Sequence, residues 1–517
     1  MASAQSYYSD ALLYSRNFIP GTARSAGVAG AFGAVGADLS SVGINPAGLA
    51  LYRSGDVSLS PAISIVNTNA DYLGSPAKSP STRFYFGQAG IVWAIPVNRP
   101  ASGISFKATN PLKFVTIALN YSRQSMFNRK VGFGNVNPDG TTIDSYADYL
   151  NNPQNTLEAA PDEVRLAWET YLLDFDTINN RYYSNVNAPV RQLGEINTRG
   201  AKDNIDLALG FNLSDKVYVG AGLGVSVMNY YRTMWYGEDA VNLADTTSAF
   251  RTYTYSNELR IRGLGANFNI GLLYRPAQWV RFGLAYHMPT FYTLNDNYTA
   301  TTSSTFDTAS YEYNAYFDLF TYKYRTPMKG VFSAAFFIKQ HAFISADYEF
   351  LNYGANRFNF GRSYTADSDR ENNFIKSNLT FGHNVRVGVE GAIKVLRLRA
   401  GYAFSSTPYQ ASYNAQQYNE TRHYATGGLG YRGKVFYADL AYVYSISKDI
   451  SNTPASDYVR NTFNQHQVLL TLGFRFGAKK NRAQYNTNDN YNNNNYNQNN
   501  GGDSNQDNSP PPVDRDY

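Results

Sequence analysis

About fourteen segments of this chain alternate apolar with polar residues, and the connections between them alternate long with short. The last segment, 464–476, puts Val468, Leu470, Leu472, Phe474 and Phe476 on one face, with Leu469, Thr471, Gly473 and Arg475 opposite. In 216–228, Val217, Val219, Ala221, Leu223, Val225 and Val227 share a face, with Tyr218, Gly220, Gly222, Gly224 and Ser226 behind them. A strand with one continuous apolar face needs an apolar medium on that side. Repeated so often, the pattern predicts an all-β fold, a 14-stranded antiparallel transmembrane β-barrel with lipid outside and a polar lumen.

Composition agrees. Mean hydropathy is low at −0.41, and no stretch approaches the roughly 20 apolar residues of a membrane helix. Barrel strands need only every second residue apolar, so low hydropathy does not oppose them. The 44 Tyr and 31 Phe suit aromatic girdles at two interfaces. A net charge of +5 gives no basic footprint for nucleic acid, and the absence of Cys excludes disulfides and thiolate chemistry. Met1-Ala2-Ser3-Ala4-Gln5 reads as the remnant of a cleavage site, implying a removed signal peptide.

Strands are expected at 56–66, 83–97, 113–123, 203–213, 216–232, 252–274, 279–292, 322–338, 341–352, 376–391, 395–405, 423–432, 434–446 and 464–476, in a barrel domain spanning 53–477. Tight joints at 213–215, 276–278, 339–340, 393–394 and 432–433 lie on one rim, and long polar connections lie on the other. The joint at 98–112 is long for its rim. Within 258–274 the polar frame slips from Arg260 and Arg262 to Gly265, Asn267 and Asn269, which predicts a bulge near Gly263. The longest connection, 124–202, contains a helix near 161–175, opened by Pro161, Asp162 and Glu163. Its apolar stripe includes Val164, Trp168, Leu172 and Phe175, which either pack on the barrel mouth or capture a ligand. Residues 478–517, rich in Asn, Asp, Gln and Pro, are expected to form a disordered periplasmic tail.

Residues 1–52 differ from all that follows. Arg24–Leu49 is rich in Gly and Ala without strand alternation, which predicts a compact plug of short helices and turns. Here Asn45, Pro46 and Ala47 follow Gly30-Ala31-Phe32-Gly33-Ala34, with Gly27, Gly30 and Gly33 as hatch glycines. In this layout the chain resembles the FadL family of outer-membrane transporters for hydrophobic compounds, TodX-type porins included, and in particular Bacteroidetes-type members. The resemblance implies an N-terminal hatch carrying an Asn-Pro-Ala motif inside a fourteen-stranded barrel. It also implies passive transport of compounds such as long-chain fatty acids or aromatic hydrocarbons, long loops outside the cell and both termini in the periplasm. The 124–202 connection and the tail are long for that family.

The inward face is expected to carry Asp206, Arg281, Lys329, Asp347, Glu349, Arg386, Glu390, Arg397, Arg399, Asp439 and Arg475. One reading is a salt-bridged lumen wall that holds the plug. The other makes Arg386, Arg397 and Arg399 a seat for a ligand carboxylate, whose two oxygens match a guanidinium fork. His287, His341, His383, His423 and His466 have no metal-ligand spacing, so no metal or cofactor is expected, haem on a single histidine being the alternative. No nucleophile elbow, phosphate loop or metalloprotease helix appears, so the chain reads as no enzyme. Its expected partners are a hydrophobic small molecule and outer-membrane lipid. The principal alternative is a non-transporting barrel that serves as a protein-interaction subunit, such as the PorV component of type IX secretion, with a secretion or periplasmic partner. A surface adhesin is a third reading.

Overall fold

The computed structural model describes residues 7–16, 21–97, 111–242, 249–317, 319–412, 420–454 and 458–477. Fourteen antiparallel strands close into a barrel: β1 (Gly55–Tyr72), β2 (Ser75–Pro96), β3 (Leu112–Met126), β4 (Val190–Leu213), β5 (Val217–Ala240), β6 (Phe250–Ala277), β7 (Val280–His287 continued by Phe291–Phe306), β8 (Phe320–Arg325 continued by Lys329–Ile338), β9 (Ala342–Asn352), β10 (Phe381–Ile393), β11 (Leu396–Ser405), β12 (Arg422–Arg432), β13 (Phe436–Asn452) and β14 (Tyr458–Phe476). The circle closes where β1 pairs with β14, from Gly55 opposite Phe476 to Asp71 opposite Arg460.

Side-chain alternation sorts each strand between lipid and lumen. On β6 the outward residues Tyr274, Leu272, Ile270, Phe268, Ala266 and Leu264 are exposed, while Leu273, Gly271 and Asn269 between them face inward. Ten residues at about 3.4 Å, tilted about 40°, span roughly 26 Å of height, the thickness of a bilayer's apolar band. The upper margin of that band carries three cross-strand pairs on the outer wall. His383 bonds the Tyr348 hydroxyl at 2.8 Å, His423 that of Tyr402 at 2.8 Å, and His466 that of Tyr442 at 2.7 Å.

Above that level the outward residues turn polar while the inward ones stay buried, and several strands run on where the sequence pattern predicted loops. β1 and β2 continue through the expected 66–82 connection to a two-residue turn, Leu73-Gly74, with φ of +50° and +79°. Such a turn favours glycine because both residues adopt the left-handed region. The expected bulge near Gly263 is absent. The β5–β6 register runs unbroken from Tyr274 to Thr252, so Arg260 and Arg262 point outward in frame with Leu264. Their polarity marks the end of the apolar band, not a slip of frame. Among the described residues the register shifts lie elsewhere, at Ser60/Pro61, Leu112/Phe114, Arg123/Ser125, Val280/Phe282 and Thr305/Phe306.

Two expected strands are interrupted. The 279–292 strand breaks at Met288-Pro289-Thr290 and the 322–338 strand at Thr326-Pro327-Met328, because neither proline can donate to the ladder. The expected 376–391 strand starts at Phe381 and is preceded by a helix, Thr365–Asn378. The helix near 161–175 ends at Glu169 and not at 175. Tyr171 takes φ +58°, Leu172 N–H bonds back to Ala167 O at 3.0 Å, and Phe175 falls in a small strand, Leu173–Asp176. The expected tail at 478–517, most of the 98–112 joint and the 1–5 cleavage remnant lie outside the described residues.

The N-terminal segment fills the lumen. Helix α1 (Tyr7–Ser15) stands high in it, and α2 (Ala23–Gly27), α3 (Ser41–Ile44) and a 3-10 turn (Pro46–Leu51) lie below. The mouth is closed by a large apolar cluster that joins Leu12 and Tyr14 of α1 to Tyr236, Tyr253, Tyr322 and Tyr324 on the strands. The loop helices α4 (Thr142–Asn151) and α5 (Asp162–Glu169) add Ile143, Leu150, Val164 and Leu166 to the same cluster.

Candidate functional site

The hatch sits in a cradle of strand glycines. A β-carbon on Gly210, Gly220, Gly271 or Gly283 would land on hatch atoms of Leu49–Ala50, Pro46–Ala47, Asn45 or Gly33. The Asn-Pro-Ala motif is the centre of this contact. Asn45 Oδ1 accepts from Ala47 N–H at 3.1 Å, capping the 3-10 turn that Pro46 begins. Its Nδ2 donates to Gly33 O at 2.8 Å and to Leu272 O on the wall at 3.3 Å. Of the hatch glycines, Gly30 has φ +73°, Gly27 packs on Arg399 and Gly33 on Ser333.

The wall holds the hatch backbone with side chains. Asp347 accepts from Phe32 and Gly33 N–H, each at 3.0 Å, and Ser345 donates to Ala31 O at 2.6 Å. Arg281 donates to Val35 O at 2.7 Å, His287 Nε2 to Ile44 O at 3.1 Å and Thr426 to Gly27 O at 3.0 Å. Sequence reasoning missed Ser345, Thr426 and Thr471, which accepts from Ala23 N–H at 2.7 Å, because a hydroxyl on an inward strand face looks the same whether it meets water or a plug.

The three arginines of the expected carboxylate seat are engaged by the protein itself. Arg399, with a fully buried side chain, bonds Glu390 at 2.6 Å and Asp439 at 2.7 Å. Arg386 pairs with Glu349 at 3.3 Å. Arg397 donates to Lys394 O and Leu396 O at 2.8 and 2.9 Å and lies 4.0 Å from Glu390. Among the loop residues, Val164 and Leu172 are buried, whereas Trp168 and Phe175 both pack edge-on or tilted against Tyr182. Among the described residues, His287 is the one histidine bonded to the hatch. Among the described residues no His/Cys/Asp/Glu cluster has metal-binding geometry.

Beside the hatch, the interruptions of β7 and β8 face each other. Thr326 N–H bonds Thr290 O at 3.1 Å and Thr290 N–H bonds the Thr326 hydroxyl at 2.8 Å. Below them Met288 and Met328 are exposed on the lipid side, with Tyr286 donating to Met328 Sδ at 3.3 Å. A cavity of about 90 Å³ runs behind this seam, bounded by Gly43 of the hatch, by Lys202 and Asp206, and by Phe268, Met288 and Pro327 of the wall. The seam therefore lies level with Phe268, in the middle of the apolar band. The short-turn end below is closed by charge, with Arg24, Arg53, Asp56, Arg432 and Arg475 around a cavity of about 40 Å³.

The family profile described as "Outer membrane protein transport protein (OMPP1/FadL/TodX)" matches residues 180–480, more than half of the chain. The chain belongs to the FadL family. Solved structures agree in fold. A Pseudomonas aeruginosa FadL homologue matches at 12% identity and TM-score 0.52, over 89% of this chain and 100% of that one. The P. putida toluene transporter TodX matches at 11% identity and TM-score 0.52, over 89% and 99%. No curated protein sequence matches. Membership makes this an outer-membrane β-barrel of a transport family, with FadL-type plugged architecture.

Proposed function

We propose that this FadL-family barrel carries small uncharged hydrophobic compounds, of the aromatic or aliphatic hydrocarbon class, across the outer membrane by passive diffusion. The long connections would face the exterior and the short turns the periplasm. The observation that carries the reading is the β7–β8 seam, where the ladder is broken at two prolines between the plug and the middle of the apolar band. A hydrophobe leaving sideways there passes Phe268, Met288 and Pro327, at the edge of a cavity that Lys202, Asp206, Asn267 and Asn269 also line, directly into hydrocarbon. One descending through the floor would meet the Arg24, Arg53 and Arg432 guanidiniums, and desolvating those groups is costly. Because Arg386, Arg397 and Arg399 are already bonded to carboxylates and carbonyls, an uncharged ligand is favoured over a fatty acid.

The test uses the absence of native Cys. Met288→Cys and Met328→Cys lie one position beyond the paired His287 and Lys329, on the two sides of the seam. Oxidising the pair should stop toluene uptake into vesicles containing the protein, and reduction should restore it. Uptake that is indifferent to the cross-link would reject lateral exit. Binding of oleate but not toluene, lost in Arg386→Gln or Arg397→Gln, would reinstate the carboxylate seat. An empty barrel purified with a stoichiometric protein partner would favour the interaction-subunit reading.

A further inference from the structure

The wall above the apolar band carries a second feature that neither the hatch nor the seam uses. Arg199 on β4, Tyr231 on β5 and Arg260 on β6 are direct cross-strand neighbours. One row nearer the lipid, Arg262 stands opposite Asn229. All point outward into one concavity of about 420 Å³, which Arg83 and Arg123 complete. Tyr231 lies between two guanidiniums, with Arg199 at 4.0 Å and Arg260 at 5.4 Å from its ring centroid. Such stacking holds the cations in place while leaving their N–H edges free.

The local carboxylates do not neutralise this group. Asp203 is taken by Arg123, at 2.8 and 3.1 Å, and Arg83 donates to Asn128 at 3.3 Å. Glu258 bonds the Tyr231 hydroxyl. Among the described residues no carboxylate lies within ion-pair distance of Arg199, Arg260 or Arg262, so three guanidiniums face outward with their donors available. Directly below, the outward residues turn apolar on every strand involved: Ile205 and Leu207 on β4, Val225 and Val227 on β5, Leu264 and Ala266 on β6. Phe84, 61% exposed, is part of the same concavity.

A ligand for this place needs a compact polyanionic head and an apolar body continuing down the wall. We infer that the concavity binds the phosphates of an outer-leaflet glycolipid of the lipid A type, with Arg199, Arg260 and Arg262 as forked donors and Phe84, Val227 and Leu264 against its acyl chains. Guanidinium pairs bidentately with phosphate, and the height of the cluster matches the head-group plane. A free anion would gain nothing from the apolar lower wall. The choice of the outer leaflet rests on the proposed orientation, with long connections outside; the phosphate chemistry rests on the arginines alone.

Native mass spectrometry of the full chain in detergent tests this with four probes: bisphosphorylated lipid A, its dephosphorylated form, phosphatidylglycerol and inorganic phosphate. The protein should retain bisphosphorylated lipid A, and Arg199→Gln/Arg260→Gln/Arg262→Gln should weaken retention at least about tenfold. The Lys triple variant, which keeps charge without the fork, should fall between. Equal retention of the dephosphorylated lipid, or no effect of the Gln variant, would overturn the site. Displacement by inorganic phosphate at equal affinity would make it a soluble-anion site and also overturn the proposal. Arginine-dependent preference for phosphatidylglycerol would move the cluster to the inner leaflet and refute the orientation. That outcome is distinct from loss of phosphate binding altogether. If the Gln variant does not fold, the Lys variant and the two lipid A forms on the unaltered protein decide.

Discussion

Arg399 illustrates how little freedom a lumenal charge has. Its guanidinium bridges Glu390 and Asp439 while its stem packs against Gly27 of the hatch. Arg24 of the hatch reaches the same Glu390 at 3.4 Å. Removing one member strands buried charge of the other sign, which costs about 3–5 kcal/mol. Arg399→Ala should therefore lower the urea midpoint markedly and loosen the hatch, read as faster proteolysis within residues 21–52. Arg397→Ala, whose partners are mostly backbone carbonyls, should cost less than about 1 kcal/mol and move the midpoint far less. Equal effects of the two would mean that the Arg399 network does not hold the plug.

At the scale of elements, the hatch and the loop helix make separate predictions. Gly271→Ala puts a methyl onto Asn45 Oδ1, and such overpacking costs about 1–3 kcal/mol. Single-channel recordings should then show larger leak currents than the unaltered barrel. A sealed barrel would imply that the motif yields without opening. In α5, burial holds the Glu163 carboxyl above its ordinary range, with Asp162 adding to the effect. The folded loop thus binds the proton more tightly than the unfolded one. Its stability is full below the ordinary glutamate value and is lost as pH rises through the raised one. Amide exchange across 162–176 should speed up with pH beyond the intrinsic rate, and Glu163→Gln should abolish that excess.

What the sequence revealed at this scale follows from what alternation reports. Period-two patterning located the lipid faces of β5 and β14 because only hydrocarbon demands an unbroken apolar row. It misjudged strand ends above the apolar band, as at Tyr72 and Phe306, since the inward residues there pack into the mouth cluster and the strands go on pairing. Arg260 and Arg262 looked like a frame slip because the outward face turns polar above Leu264 while the register stays unbroken. Pro289 and Pro327 are plain in the sequence, but only the β7–β8 pairing brings them opposite each other. Asn45-Pro46-Ala47 was legible as a motif, whereas its seat on Gly220, Gly271 and Gly283 depends on register between distant strands.

For the whole molecule, the barrel, plug and mouth form one closed object with polar ends and an apolar belt. Its permeability then depends on two places, the hatch cradle and the β7–β8 seam, which are separable by experiment. The 288–328 cross-link should stop hydrophobe uptake while leaving the leak current of Gly271→Ala intact. A cross-link that also abolished the leak would show that both use one opening. The lipid-facing arginines should affect neither current, since they lie outside the wall.

The pairing of β1 with β14 has a consequence for biogenesis. Contacts between segments some four hundred positions apart are among the last that a chain can make, because the loop they close is so large. Until β14 is added, β1 and β13 present bare edges ready to recruit other chains. The hatch, tethered just ahead of β1, has to be inside before that final zipper is drawn. A chain shortened before Tyr458 would thus be expected to aggregate with its plug unseated, so the C-terminal strand acts as the clasp that decides whether the plug is enclosed at all.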